Sequence, residues 1–185
     1  LKSPTCRCFK IWIIEMITTA RSLEKITVTD LQRLAAIARA DREGLFNRKP
    51  DIGKLYAERL ICVALCQGAA LHYIDGKNGV KDFDVWSFFR EHTKRPFPYR
   101  RNVPYDFGYP KFGISPDRPD FVGRRVDIIG RSIPCREGQD PIEVIQNYLL
   151  SSSNKSPRLL AKKAVIILEP KELLGKVAWP ISGVT

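Results

Sequence analysis

Two aspartates separated by one phenylalanine, Asp82 and Asp84 in GVKDFDVWSFF, interrupt an otherwise apolar run, and a third, Asp127, is embedded in FVGRRVDIIGRSI. On an extended strand side chains alternate, so Asp82 and Asp84 share one face while Phe83 and Val85 take the other. Two like charges beside a core repel, and keeping both ionised is costly unless a cation lies between them. A divalent cation of the Mg²⁺ kind takes oxygen ligands, commonly one or two carboxylates completed by substrate phosphate oxygens. With Cα atoms roughly 6.6 Å apart along a strand, the two carboxylates can converge on one ion and share a second. Asp127, from a neighbouring strand, would complete the cage. Two such ions clamp the attacking and leaving oxygens of an in-line phosphoryl displacement. The third carboxylate can take the proton of an attacking hydroxyl. The plainer reading of a D-x-D pair is a strand edge whose side chains face water.

The elements that must position these acids are read along the chain of 185 residues, a length that fits one domain. With 44% hydrophobic and 28% charged residues it can bury a core, and its net charge of +11 suits a polyanionic partner. Its five cysteines form no even framework, so they read as small buried apolar residues in a reducing cytoplasm. His72 and His92 stand alone, without metal-ligand spacing. No apolar run approaches the roughly 18 residues of a membrane span, and Ile11–Ile14 is too short for a signal core. Residues 1–26 read as an N-terminal extension and 27–185 as one domain. Met16, the only methionine, is a candidate natural start that would leave residues 1–15 upstream; the alternative is a longer protein cut at Leu1.

Residues 27–43 carry helical periodicity, with Thr29 or Asp30 as cap and Gly44 as stop. A second helix is expected over 51–60, capped by Asp51. A buried strand follows over 61–68 and ends in glycine. AALHYI makes about one helical turn and DGKNG a tight turn, before the D-x-D strand over 79–89. Residues 93–120, rich in Pro, Gly, Arg and aromatics, form a long loop, and 121–133 a third strand. DPIEVIQNYLLS has a helix start at Asp140–Pro141, with Glu143 in the first turn. A short helix and a last strand, VIILEP, close the chain. The expected fold is α+β, a small mixed sheet flanked by helices.

This order of glycine-ended strand, spacer, D-h-D strand and isolated h-D-h strand resembles the nucleotidyltransferase superfamily of the DNA polymerase β-like fold. That family carries a hydrophobic residue, a glycine and then a glycine or serine, later an acid–hydrophobic–acid strand, and later still a third acid between hydrophobics. Here Gly68 and Ala69 match the first, residues 70–81 the spacer, DFDV the second and VDI the third. The resemblance spans roughly residues 60–130. It implies that the Gly68–Ala69 turn holds a nucleotide's phosphates, that Asp82 and Asp84 bind Mg²⁺ or Mn²⁺, and that Asp127 completes the site and activates the acceptor. Ala69 departs from the pattern: it offers a phosphate only its backbone N–H, and the absent hydroxyl removes a donor worth about 1.5–3 kcal/mol.

Around this core, Lys77 and Lys81 in the spacer are candidate phosphate ligands, as is Arg125, which alternation puts on the face of Asp127. Each has a plainer role: solvated lysines, and a salt bridge holding Asp127. Loop 93–120 interleaves Lys94, Arg95, Arg100, Arg101 and Lys111 with Phe97, Tyr99, Tyr105, Phe107, Tyr109 and Phe112. That is a composition for a nucleic-acid or protein acceptor, or for aromatics that pin a loop, as Phe107 and Phe112 are expected to do. The reading is a metal-dependent transfer of a nucleotidyl group from an NTP to an acceptor hydroxyl. The alternatives are another D-x-D metal enzyme, nuclease or glycosyltransferase, and a nucleic-acid-binding or partner-binding protein on a degenerate core.

Overall fold

A computed structural model describes residues 21–93, 95–98, 100–101, 104–151 and 155–181. The expectations for Met16 and the first fifteen residues, and for Lys94 and Tyr99, fall outside these.

Helix α1, Val28–Arg48, is capped two or three residues earlier than Thr29 or Asp30: Thr27 is the cap and Asp30 closes a capping box on it. It also runs through Gly44 rather than ending there, because Leu45 in its last turn is buried with Ile52, Tyr56 and Phe89. Tertiary burial outweighs the roughly 1 kcal/mol that a helical glycine costs. Helix α2, Pro50–Tyr56, has Lys49 rather than Asp51 at its cap, since Pro50 fits the first helical position. Strand β1 is Leu60–Cys66. Gln67 and Gly68 belong to helix α3, Gln67–Asp75, a nine-residue helix where about a turn was expected. Ala69, Ala70 and His72 bury one face of it, and Gly76 ends it in a left-handed conformation (φ 66°).

Strand β2 is Phe83–Arg90, so Asp82 lies just before it, and the residues from Gly79 (φ 65°) to Asp82 form the approach. The long loop contains two short strands, β3 (Arg100–Arg101) and β4 (Tyr105–Asp106), both paired with β5, Arg125–Ile133. Residues 121–124 are not strand, because the Asp106 carboxylate accepts the N–H groups of Val122 and Gly123 and folds them into a turn. Helix α4, Pro141–Leu150, begins as expected at Asp140, whose side chain accepts the Glu143 N–H. Helix α5 (Lys155–Leu160), β6 (Ala164–Glu169) and an unanticipated β7 (Val177–Trp179) complete the order.

The fold is α+β, with an open mixed sheet in the order β3-β5-β2-β1-β6-β7 and β4 also on β5. Among the described residues only β2 and β5 run parallel; the other pairs are antiparallel. One face packs against α1 and α3 through Leu31, Leu34, Ala69 and Ala70 on Val63, Leu65, Phe83, Val85, Val126 and Ile128. The other packs against α4 and α5 through Val144, Ile145, Leu149 and Leu160 on Cys62, Ala64, Trp86 and Phe88. Cys62 and Cys66 are buried free thiols, as expected, and burial pushes both upward in pKa. Among the described residues no helix is long and apolar enough to cross a membrane.

The α1 cap carries an acid-labile contact. The Asp30 carboxylate accepts the Thr27 N–H at 2.7 Å, the Thr27 hydroxyl at 2.8 Å and the Lys111 ammonium at 2.5 Å. Burial alone would raise its pKa, but these donors outweigh it and hold the carboxyl below its usual range. A depressed carboxyl stabilises the fold above its unfolded value of about 3.9 and loses that contribution as pH falls through the folded value. Urea unfolding across roughly pH 5 to 2 is therefore expected to fall more steeply for the native chain than for Asp30→Asn. Parallel curves would show that the cap carries no such linkage.

Candidate functional site

Asp84 and Asp127 come together where β1 ends and β2 and β5 begin, and Asp82 lies just before β2. Cys66, the last residue of β1, is the cross-strand partner of Asp84, and Asp84 pairs in register with Asp127. Neighbouring strands lie about 4.8 Å apart, so Asp84 and Asp127 stand side by side. Phe83, Val85, Val126 and Ile128 point the other way, into the α1/α3 core. The alternation expected of the strand is therefore present at Asp84, while Asp82, outside β2, has no strand face. Asp84 and Asp82 are half-buried, whereas Asp127 is only 2% exposed. Burial of Cys66, with the Asp84 carboxylate beside it, keeps that thiol un-ionised.

Asp127 is gripped by Arg125. The guanidinium donates to Asp127 Oδ1 from Nε at 3.0 Å and from Nη2 at 2.9 Å, while Nη1 donates to Asp117 Oδ2 at 2.5 Å. Arg125 thus takes the salt-bridge role, bridging β5 to loop 93–120. The bonds to Asp127 raise its pKa against the pull of burial. Asp117 is pushed up by burial but held below the usual carboxylate range by Arg125, with Lys81 adding to the field. Lys81, exposed, therefore stands with this group of charges. Lys77 is exposed in a turn whose N–H groups at 77 and 78 are accepted by Asp75. No contact brings it to Gly68.

Gly68 is the second residue of α3. Gln67 before it adopts φ 60°, a left-handed conformation rare for a residue with a side chain. The cap residue Cys66 makes no side-chain cap bond, so the first amides of α3 present partial positive charge without a capping side chain. Ala69 is 2% exposed and packs in the core. Its methyl is structural there, and a serine would bury its hydroxyl among apolar groups.

Two cations missed by the sequence reading flank Gly68. A Cβ placed on Gly68 would lie 3.6 Å from Arg21 Nη1 and 3.6 Å from Lys163 Nζ. Arg21 is held by the carbonyls of Asn78 and Gly79, and Lys163 is brought in by the bridge between Gln67 and Ala164. His72 fixes α3 from below. Its Nδ1 accepts the Gly79 N–H at 3.1 Å, so Nε2 carries the proton toward the Glu24 carbonyl, also at 3.1 Å.

The aromatics of loop 93–120 mostly leave the surface. Phe97, Phe107 and Phe112 are buried, the last two against Phe83 as expected of pinning residues. The Tyr105 hydroxyl donates to Asp41, and Lys111 pairs with Asp30 over the Phe112 ring. Tyr109, 55% exposed, remains available for stacking.

The chain matches no protein-family model, no curated protein and no solved structure at significance. Its site is argued from its own geometry. Among the described residues no group of three or more His, Cys, Asp or Glu side chains is arranged to hold a metal ion. Asp82 is half-buried in the field of the Arg124 guanidinium.

Proposed function

We propose that this chain is a nucleotidyltransferase that takes an NTP with Mg²⁺ or Mn²⁺ and transfers its nucleotidyl group to an acceptor hydroxyl. The observation that carries the reading is the adjacency of two features. The Asp84–Asp127 register pair abuts Cys66, and the next residues open a helix whose N-terminus is flanked by Arg21 and Lys163. Acids for a cation and donors for a triphosphate thus come from the same strand end. The β- and γ-phosphates would lie against the amides of Gly68 and Ala69 with Arg21 and Lys163 as counter-charges. An ion on Asp82 and Asp84 supplies, when bound, positive charge to the phosphate oxygens. The acceptor oxygen bonds to the α-phosphorus as the bond to the bridging oxygen breaks, pyrophosphate leaves, and the hydroxyl proton passes to the Asp127 carboxylate. Loop 93–120, which supplies Asp117 and pairs with β5, borders the acceptor side, and a nucleic-acid or protein hydroxyl would approach there. The free thiols Cys62, Cys66 and Cys135 suit a reducing cytoplasm.

A second reading rests on the Arg125–Asp127 pair: a core whose third acid serves structure, in a basic protein that binds nucleic acid or a partner without catalysis. The assay that separates them is pyrophosphate release from each NTP with Mn²⁺ and oligonucleotide or protein acceptors. The proposal expects release that Asp84→Asn abolishes. Oligonucleotide binding indifferent to metal, with no pyrophosphate formed, would favour the second. Cleavage without NTP would make it a nuclease, and dependence on a nucleotide-sugar a glycosyltransferase.

A further inference from the structure

We propose that a cavity at the far end of the sheet, lined by Arg59, Arg90 and Arg136, binds a phosphate or diphosphate anion. The inference is independent of the nucleotidyltransferase reading. The cavity has a volume of about 230 Å³ and lies where β1 begins and β2 and β5 end, since Leu60 pairs with Phe89 and Arg90 with Ile133. Arg90 closes β2 at the end opposite Asp84, roughly 20 Å away along a strand. Three guanidinium groups meet there against two carboxylates. Glu58 is exposed and pairs with none of them, and Glu137, with a side chain 81% exposed, holds only Arg90, at 2.9 Å. Among the described residues Arg59 and Arg136 have no carboxylate partner. Arg59, half-buried, donates only to the Glu91 carbonyl, at 3.4 Å.

A half-buried guanidinium without a countercharge draws an anion to it. The arginine count selects the kind. A carboxylate is satisfied by the paired N–H groups of one guanidinium, whereas a phosphate has oxygens enough for several. The cavity is smaller than the roughly 300–1,000 Å³ of sites for drug-sized ligands and several times the roughly 30 Å³ of one water, so its occupant is a small ion. Cys135 in the same lining stays neutral and does not compete for the arginines: burial holds its thiol above the usual range against the pull of Arg90. Glu137 is the competitor already in the fold. A bridge to a carboxylate this exposed is weak, so an arriving phosphate takes Arg90 from it, and Glu137 tunes the affinity without closing the site.

Cys135 supplies the readout, because it is half-buried at the cavity while Cys62 and Cys66 are fully buried. The native chain is alkylated with iodoacetamide at fixed ionic strength in orthophosphate, diphosphate, succinate or chloride, and modification of the Cys135 peptide is followed by mass spectrometry. The expected result is about a tenfold or greater slowing by orthophosphate or diphosphate and none by succinate or chloride. Glu137→Gln is expected to reach half-protection at a several-fold lower phosphate concentration, Arg59→Gln to lose protection, and Gly68→Asp to keep it. A native rate that neither phosphate changes would overturn the proposal and leave the nucleotidyltransferase reading standing. Equal protection by succinate would overturn the preference for phosphate, and loss of protection in Gly68→Asp would move the anion to α3. Unaltered half-protection in Glu137→Gln would remove Arg90 from the site. The native rate and the exposed Glu137→Gln variant keep the test decisive if Arg59→Gln does not fold.

Discussion

Gly68→Asp is expected to yield a chain more stable than the native one that no longer binds nucleoside triphosphates. Gly68 has no positive φ, and a Cβ there meets nothing closer than 3.6 Å, so the fold accepts the side chain. Those nearest atoms are the terminal nitrogens of Arg21 and Lys163. A carboxylate would therefore enter an electropositive gap at a helix N-terminus, worth roughly 0.3–2 kcal/mol, and would remove a helical glycine. For an incoming triphosphate the same carboxylate fills the space and cancels the charge. Loss of two charge-assisted contacts at about 1.5–3 kcal/mol each corresponds to roughly a hundredfold or greater loss of affinity. Thermal unfolding and nucleotide titration of the variant check both halves. A variant that unfolds earlier, or binds nucleotide as well as the native chain, would show that Arg21 and Lys163 do not converge on an anion site.

The largest effect on stability is expected away from the site, at Glu169→Ala. Glu169, 8% exposed at the end of β6, accepts Arg39 at 2.7 and 3.1 Å on Oε1 and Arg42 at 3.0 Å on Oε2, joining the sheet to α1. Arg39 has a side chain 57% exposed and can return to water, but that of Arg42 is 14% exposed. The Arg42 Nη1 has no hydrogen-bond partner among the described residues. Removing the carboxylate leaves a largely shielded guanidinium without its countercharge, at a cost approaching the roughly 3–5 kcal/mol of a broken buried pair. That is a large share of the roughly 5–15 kcal/mol that holds a domain together, and a fall of roughly 6–20 °C in melting temperature. Arg39→Ala, which touches only the exposed arm, is expected to cost about 1 kcal/mol or less. Equal losses in the two variants would mean that Arg42 is hydrated.

What the sequence disclosed followed from local periodicity. Alternation put Asp84 opposite Phe83 and Val85, and the packing of Phe83 and Val85 bears that out, whereas Asp82 precedes the strand. The Asp140–Pro141 helix start is likewise local chemistry, and so is the small mixed sheet implied by the run of elements. The boundaries that moved did so through tertiary contacts: Leu45 carried α1 past Gly44, and Asp106 folded 121–124 into a turn. Loop 93–120 looked like a surface because Pro, Gly and Arg dominate it, yet Phe97, Phe107 and Phe112 complete two hydrophobic clusters. Arg21 and Lys163 were invisible for a different reason. They reach Gly68 through a bridge to Val80 and a bridge to Gln67, and only the folded chain makes those pairings. Arg125 was legible as a residue on the acid face, but its hold on Asp117 was not, since that partner comes from the loop.

The central claim, that the Asp82–Asp84 strand holds a cation for a nucleotide's phosphates, is tested most directly by thermal stability. The native chain and Asp84→Ala are melted with each NTP, with and without Mg²⁺ or Mn²⁺. Ligand at about a hundred times its Kd adds roughly 2.7 kcal/mol to the folded state, a shift of several degrees for a chain of this size. The account predicts a shift in the native chain that needs both nucleotide and metal and is absent from Asp84→Ala. A native chain whose melting point no NTP or metal moves, or a shift that survives in Asp84→Ala, would contradict it.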